Sequence, residues 1–391
     1  MLRTCQIVAS INRKTGGPAV SVSKLADHLV SAGIDSHLFA LDYTCHGPQQ
    51  PLSRATLHSV PADSIARHFR GFSKRAASAL TRLAPDFDII HNHGLWMFPN
   101  RDARRAAVQA KVPLIISPRG MLSDWALGRS RLKKRLVWNL FEHANLRAAR
   151  AFHATSVDEL ASIRSAGFVQ PVAVIPNGVD LPAPGQIPER SAIELRFPNL
   201  HEQNWLLFLS RLHPKKGLPE LISAWAGLGP KRCGWKLIIA GPDLDNYRPV
   251  LDALIHQHQL ECEIVFTGMV EGVERDCLLG RSNLFVLPTH SENFGLVIAE
   301  SLAACVPVVT TKGAPWQELE THKCGWWIDL SSLQVALEQA MAMSSETRRE
   351  MGQRGRALVS SKYSWDLVAS QMADFYRWLL TKEVRPSFVH I

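Results

Sequence analysis

Thr289-His290-Ser291-Glu292-Asn293-Phe294-Gly295-Leu296-Val297-Ile298-Ala299-Glu300 follows the apolar run 284–287 and opens into a helical pattern. An apolar strand, a glycine-bearing turn and then a helix make half of a βαβ unit. Working outward, the same alternation recurs. Strand candidates in the second half are 205–210, 236–240, 263–267, 284–287 and 306–310, and in the first half 5–11, 36–40, 88–91, 114–117, 151–155 and 172–175. Strands separated by helical stretches predict parallel sheets. A chain of 391 residues exceeds one ordinary core, so two α/β domains are expected, facing across a cleft. The proline-rich Pro182-Ala183-Pro184-Gly185-Gln186-Ile187-Pro188 marks a hinge between them. The expected division is a first domain over 1–182, a linker over 183–202, a second domain over 203–362 and a C-terminal helix over 363–391. In the last segment Trp365, Leu367, Val368, Met372, Phe375, Tyr376, Leu379 and Leu380 recur at helical spacing. That helix needs a partner surface, and packing between the domains, returning toward the first, supplies one.

Composition narrows the class. The chain is 46% hydrophobic and 20% charged, without an apolar tract long enough to span a bilayer. Its start reads as a first buried strand, not a cleavable leader, which gives a cytoplasmic expectation. Seven scattered cysteines form no C-x-x-C pair and no zinc spacing, so they are expected to be reduced, mostly buried and inert. Lys and Arg total 44 against 35 Asp and Glu, a surplus of 9 that favours polyanions without choosing among them. Two basic clusters lie in the first half: Arg67, Arg70, Lys74, Arg75 and Arg82, then Arg129, Arg131, Lys133, Lys134 and Arg135. No nucleic-acid module accompanies them.

Two groups of residues carry chemistry. In the opening stretch, free N–H groups of the turn around Gly295 and the helix dipole form a seat for a phosphate or polar ligand. Glu292 and Glu300, about 12 Å apart if the span is helical, match the separation of a ribose from a hexose across a diphosphate. A lone pair of this kind more often starts a helix and faces solvent. The second group is Ser210-Arg211-Leu212-His213-Pro214-Lys215-Lys216-Gly217, after the strand 205–210. Arg211 and Lys216 at a strand's carboxyl end can neutralise a departing diphosphate, although most basic loops are merely solvated. His91 and His93 read either as a metal pair or as strand-end histidines, and no third ligand stands at useful spacing. Two D-x-D pairs, Asp86 with Asp88 and Asp243 with Asp245, lack a carboxylate cluster around them. A dinucleotide-dependent dehydrogenase is disfavoured, because no G-x-G-x-x-G follows the first strand.

Arg211 and Lys216 combined with Glu292-x7-Glu300 resemble the family-4 retaining glycosyltransferases, whose fold is the two-Rossmann arrangement called GT-B. The likeness extends through Gly16-Gly17-Pro18, the stretch Asp88 to Trp96, Ile175-Pro176-Asn177-Gly178-Val179-Asp180, Gly241-Pro242 and Phe266-Thr267-Gly268. It implies an enzyme of the hexosyltransferase type that moves a sugar, with retention, from a UDP- or GDP-sugar donor to a saccharide or lipid-linked acceptor, as in bacterial polysaccharide or lipopolysaccharide synthesis. By this resemblance Arg211 and Lys216 hold the diphosphate and Glu300 the ribose. Glu292, with the N–H groups of Asn293, Phe294 and Gly295, holds the sugar. Gly241, Met269 and Val270 line the base pocket, the amides of Gly16 and Gly17 face the phosphates, and His93 is the active-site histidine. Asn293 departs from the Gly or Pro of many relatives. No metal or other cofactor is implied. A non-catalytic nucleotide-sugar-binding subunit is the alternative.

The segment 130–149 carries Leu132, Leu136, Val137, Leu140 and Phe141 beside Trp138 and four basic residues. It reads either as a helix packed on its own sheet or as one lying on an anionic membrane surface. The resemblance favours the membrane, which adds the inner face of the cell membrane to the cytoplasmic expectation.

Overall fold

The computed structural model describes residues 1–128 and 131–391; Arg129 and Ser130, part of the second basic cluster and its helix, lie outside the described residues. The chain divides into two compact units, Met1–Gly178 with Trp365–Ile391, and Val179–Ser364. The first unit's sheet contains β1 (Arg3–Ser10), β2 (Asp35–Asp42), β3 (Thr56–Pro61), β4 (Ile89–His93), β5 (Leu114–Ser117), β6 (Ala151–Ala154) and β7 (Val172–Val174). The second contains β8 (Asn204–Leu209), β9 (Trp235–Ala240), β10 (Ile264–Gly268), β11 (Leu284–Leu287), β12 (Val308–Thr311) and β13 (Gly325–Ile328), and β14 (Val389–His390) returns to the first.

The strand orders are β14-β7-β6-β5-β4-β1-β2-β3 and β10-β9-β8-β11-β12-β13. All pairings are parallel except that of β14 with β7. Each unit therefore runs outward from its first strand in both directions, the doubly wound order. The reversal lies between β1 and β4 in one unit and between β8 and β11 in the other. Ligands of open α/β sheets bind at that place, beyond the strands' carboxyl ends.

Burial explains which strands were readable. The central strands are covered on both faces and are continuous apolar runs; Leu206, Leu207, Phe208, Phe285 and Val286 are fully buried. β3 is an edge strand with mostly exposed residues, so it carried no apolar run. The expected linker 183–202 is corrected: Ile193 and Leu200 are fully buried in the second unit's core. The segment 365–381 belongs to the first unit, where Met372, Phe375 and Tyr376 pack with Leu25 and Leu29 of the helix Gly17–Ser31 and with Ile89 and Ile115 of the sheet. The cysteines are less buried than expected, since only Cys5, Cys277 and Cys324 are buried.

Candidate active site

In the second unit the loops after β8 and β11 meet. Lys216 ends a short turn, Pro214–Lys216, closed by Gly217 at φ 69°. A Cβ there would stand 2.0 Å from the carbonyl oxygen of Pro288, so only glycine lets the two loops approach this closely. His290 N donates to the Lys215 carbonyl at 2.9 Å. Across this seam Lys216 Nζ forms an ion pair with Glu292 Oε2, both side chains being largely buried. Burial pushes the Glu292 carboxyl up, but Lys216, Lys215 and the Asn293 N–H outweigh it and leave it below its ordinary value. Glu292 is therefore a carboxylate at neutral pH, held by the cation expected to meet a diphosphate.

Gly295, at φ 79°, caps the helix Leu296–Ala303 with no side chain on its first amides. Trp316 Nε1 donates to the Phe294 carbonyl at 2.5 Å, pinning the turn from below. Glu300 lies on that helix and accepts from Arg275 Nη2 at 2.5 Å. Burial lowers the Arg275 guanidinium, but its contact with Glu300 outweighs that and leaves it raised. Arg211 is exposed just beyond β8. Gly241 has φ 136°, and a Cβ there would meet the Ser210 carbonyl oxygen at 2.1 Å; its N–H donates to the Gly268 carbonyl at 2.8 Å. Of the expected base-pocket residues Met269 is exposed, whereas Val270 is buried in the core and offers its backbone alone.

The D-x-D pairs are otherwise employed. Asp243 accepts from the N–H groups of Tyr247 and Arg248 at 2.8 and 2.9 Å, and Asp88 accepts from Arg3 N at 2.8 Å.

In the first unit Gly16 (φ 94°) and Gly17 open the helix Gly17–Ser31, with no side-chain cap on its first amides and open space around both glycines. His93 ends β4 and is buried, 2% exposed. His93 Nε2 lies 2.9 Å from Gln6 Oε1, and its Nδ1 lies 2.9 Å from Arg119 Nη2. A third histidine, absent from any local spacing, arrives from β6: His91, His93 and His153 bring ring nitrogens within 4.8 Å of one another. The tri-imidazole set suits a divalent metal in donor type. Arg119 opposes it, because a doubly charged ion about 4 Å from a guanidinium is repelled by roughly 8 kcal/mol at an effective dielectric of ~20. No carboxylate is in the set to offset that.

All three imidazoles are held below their ordinary pKa by burial first and by Arg119 and one another next, His153 to about 3. In the same unit Glu142 is buried and accepts from Trp96 N at 2.7 Å, with Trp96 at φ 71°. Burial pushes the Glu142 carboxyl up to about 7.

These two switch points coincide with two family matches: a glycosyl transferase 4-like domain over residues 16–178 and glycosyl transferases group 1 over residues 192–358. The chain belongs to the family-4 glycosyltransferases. Over 381 residues, 96% of each chain, this glycosyltransferase is 23% identical to a GDP-mannose:cellobiosyl-diphosphopolyprenol alpha-mannosyltransferase of Xanthomonas campestris. It is 29% identical over 218 residues to a GDP-mannose-dependent alpha-(1-6)-phosphatidylinositol monomannoside mannosyltransferase of Mycobacterium tuberculosis, 52% of this chain and about half (55%) of the relative. An Anabaena protein, HepE, crystallised with UDP and glucose, superposes with TM-score 0.74 at 18% identity, covering 96% of this glycosyltransferase and 100% of that chain. The fold is thus GT-B, each unit carrying one switch point.

The structure brings Lys216 to Glu292 and sets Gly295 and Glu300 on one helix beside them. Sequence reasoning missed Gln6, Arg119, His153, Tyr376 and Arg275. Only Arg119, in a Ser-Pro-Arg-Gly run beyond an apolar strand, left a signal that could have found it.

Proposed function

We propose that this glycosyltransferase moves a hexose, with retention of configuration, from a UDP- or GDP-sugar to a saccharide or lipid-linked acceptor. The observation that carries the reading is the Lys216–Glu292 ion pair beside the uncapped amides at Gly295. A nucleotide diphosphate at this seam draws Lys216 and Arg211 to its oxygens, and Glu292 is released toward sugar hydroxyls. The transition state places charge on the departing diphosphate, where fixed cations and helix amides stabilise it without a metal. Glu300, steadied by Arg275 through Oε2, keeps its other oxygen for ribose hydroxyls. The two named mannosyltransferases are GDP-mannose enzymes with lipid or lipid-linked acceptors in their names, and HepE was crystallised with UDP and glucose, which supports the donor and acceptor classes.

The first unit supplies a surface suited to a lipid-linked acceptor. The basic segment forms the helix Arg131–Val137, a π-turn Trp138–Glu142 and the helix His143–Arg147. The sequence's single stripe resolves into two: Val137 and Phe141 are buried in the unit's core, while Leu132, Leu136 and Leu140 are 84%, 68% and 67% exposed. Arg131, Lys133 and Arg135 flank the exposed leucines. The other basic cluster lies close by, since Arg70 Nη1 donates to the Trp96 carbonyl at 3.2 Å and Lys134 Nζ stands 5.7 Å from the Trp96 ring. It adds exposed Ile65 and Phe69. Apolar residues ringed by cations fit an anionic bilayer surface. No helix among the described residues is long and apolar enough to cross a membrane.

Calorimetry with UDP, GDP and their sugars tests the assignment. Arg211→Ala and Glu300→Ala each remove a charged hydrogen-bond partner, about 1.5–3 kcal/mol or roughly ten- to a hundredfold in affinity. Unchanged nucleotide affinity in both variants would remove the nucleotide site, and proton NMR showing an inverted anomeric linkage would remove the retaining chemistry.

A further inference from the structure

Gln6, Tyr376, His91, His93, Arg119 and Asn177 form one hydrogen-bonded chain at the carboxyl ends of β4 and β5. Gln6 Nε2 donates to Tyr376 Oη at 3.1 Å, and Tyr376 Oη lies 2.8 Å from His91 Nδ1. On the other side Arg119 Nη1 donates to Asn177 Oδ1 at 2.6 Å. Every proton position around His93 follows from Arg119. A guanidinium has only donors, so the His93 Nδ1 facing it must be a lone pair. The ring is neutral, its proton is therefore on Nε2, and the group 2.9 Å away must be the Gln6 oxygen.

Arg119 itself stands in an unusual state. It is largely desolvated, sits at φ 57°, and has an Nε–H without a partner. Its two direct partners, His93 and Asn177, are neutral. Among the described residues no carboxylate lies within ion-pairing reach; Glu159, the nearest influence, spends its oxygens on Gly120 N, Thr155 N and Thr155 Oγ1. A desolvated cation held by neutral acceptors, in strained backbone at the ligand-binding end of a sheet, is built to receive an anion.

We propose that Arg119 is a substrate-contacting cation that takes a phosphate oxygen, and that Gln6 is a positioning residue whose oxygen accepts the His93 Nε2–H and so orients the ring against Arg119. The role within catalysis rests on the glycosyltransferase reading; the anion site does not.

The test uses the full chain labelled with nitrogen-15. Long-range proton–nitrogen spectra should show His93 as the Nε2–H tautomer, and titration with inorganic phosphate should shift its Nδ1 resonance. Arg119→Gln should weaken that phosphate response at least tenfold while UDP and GDP affinity changes less than twofold. Gln6→Leu, which strips the acceptor from the His93 Nε2–H and frees the ring, should weaken the phosphate response at least tenfold while the Nε2–H tautomer facing Arg119 persists. His93→Gln, whose amide oxygen still accepts from Arg119, should keep the phosphate shift of the Arg119 guanidinium nitrogens that His93→Leu loses. Tyr376→Phe, which leaves the Gln6–His93 bond in place, should keep the phosphate response and guards against a folding defect in the Gln6 variant. A His93 Nδ1–H tautomer in the unaltered chain, or a phosphate response that survives Arg119→Gln, overturns the proposal. Absent UDP and GDP binding with an intact phosphate response would instead sink the donor assignment alone.

Discussion

Acidification from about pH 7 to about pH 5.5 is expected to loosen the first unit by roughly 2 kcal/mol. His91, His93 and His153 are buried and neutral, with pKa values held far below the unfolded ~6.5. The folded state then binds fewer protons than the unfolded one, so the stability they contribute is present above ~6.5 and lost as pH falls below it. Over this interval each imidazole loses on the order of 1 kcal/mol, or roughly 3–4 together. Glu142 acts in the opposite sense. Its folded pKa of about 7 lies above the unfolded value, so its penalty at neutral pH is relieved on acidification, returning on the order of 1–2 kcal/mol. The difference is near 2 kcal/mol, a large fraction of the ~5–15 kcal/mol typical of a domain. Hydrogen exchange of the β4 and β6 amides, corrected for intrinsic rates, reads this directly, with β9 as the comparison strand. His153→Leu removes one imidazole's share and should shrink the loss by on the order of 1 kcal/mol, whatever it does to stability at neutral pH. Protection at pH 5.5 equal to that at pH 7, or an undiminished loss in His153→Leu, would refute the neutral buried cluster.

Gly217→Ala should push Lys216 away from Glu292, because its Cβ meets the Pro288 oxygen at 2.0 Å in left-handed backbone; nucleotide affinity should fall about tenfold by calorimetry, with ~1–3 kcal/mol lost from the second unit. Turnover in excess EDTA should match that without it, and activity lost to the chelator and restored by magnesium or manganese would count against Arg211 and Lys216 as the leaving-group cations. Leu132→Asp with Leu136→Asp should lower partition onto phosphatidylglycerol vesicles more than tenfold, since each buried leucine is worth about 1.5–3 kcal/mol; unchanged sedimentation with vesicles would exclude this face.

What could be read without coordinates was whatever depends on local pattern. Doubly covered strands such as β8, β9 and β11 announce themselves as apolar runs, and residues just beyond them, Arg211, Lys216, Glu292 and Glu300, inherit the ligand-facing end of the sheet. β3 escaped because an edge strand buries too little to leave a pattern, and β13 because its residues are only half-buried. The segment 183–202 read as a linker from its prolines, yet Ile193 and Leu200 found a core to enter. Tertiary structure alone decided the His93 site. Its partners Gln6, Arg119, His153 and Tyr376 come from four separate elements, the farthest at the opposite end of the chain, and no spacing rule encodes such a meeting. It likewise divided the apolar residues of 131–147, sending Val137 and Phe141 inward and leaving Leu132, Leu136 and Leu140 in water. Hydrophobicity says that a residue will seek cover, but which face finds it depends on the neighbours that the rest of the fold provides.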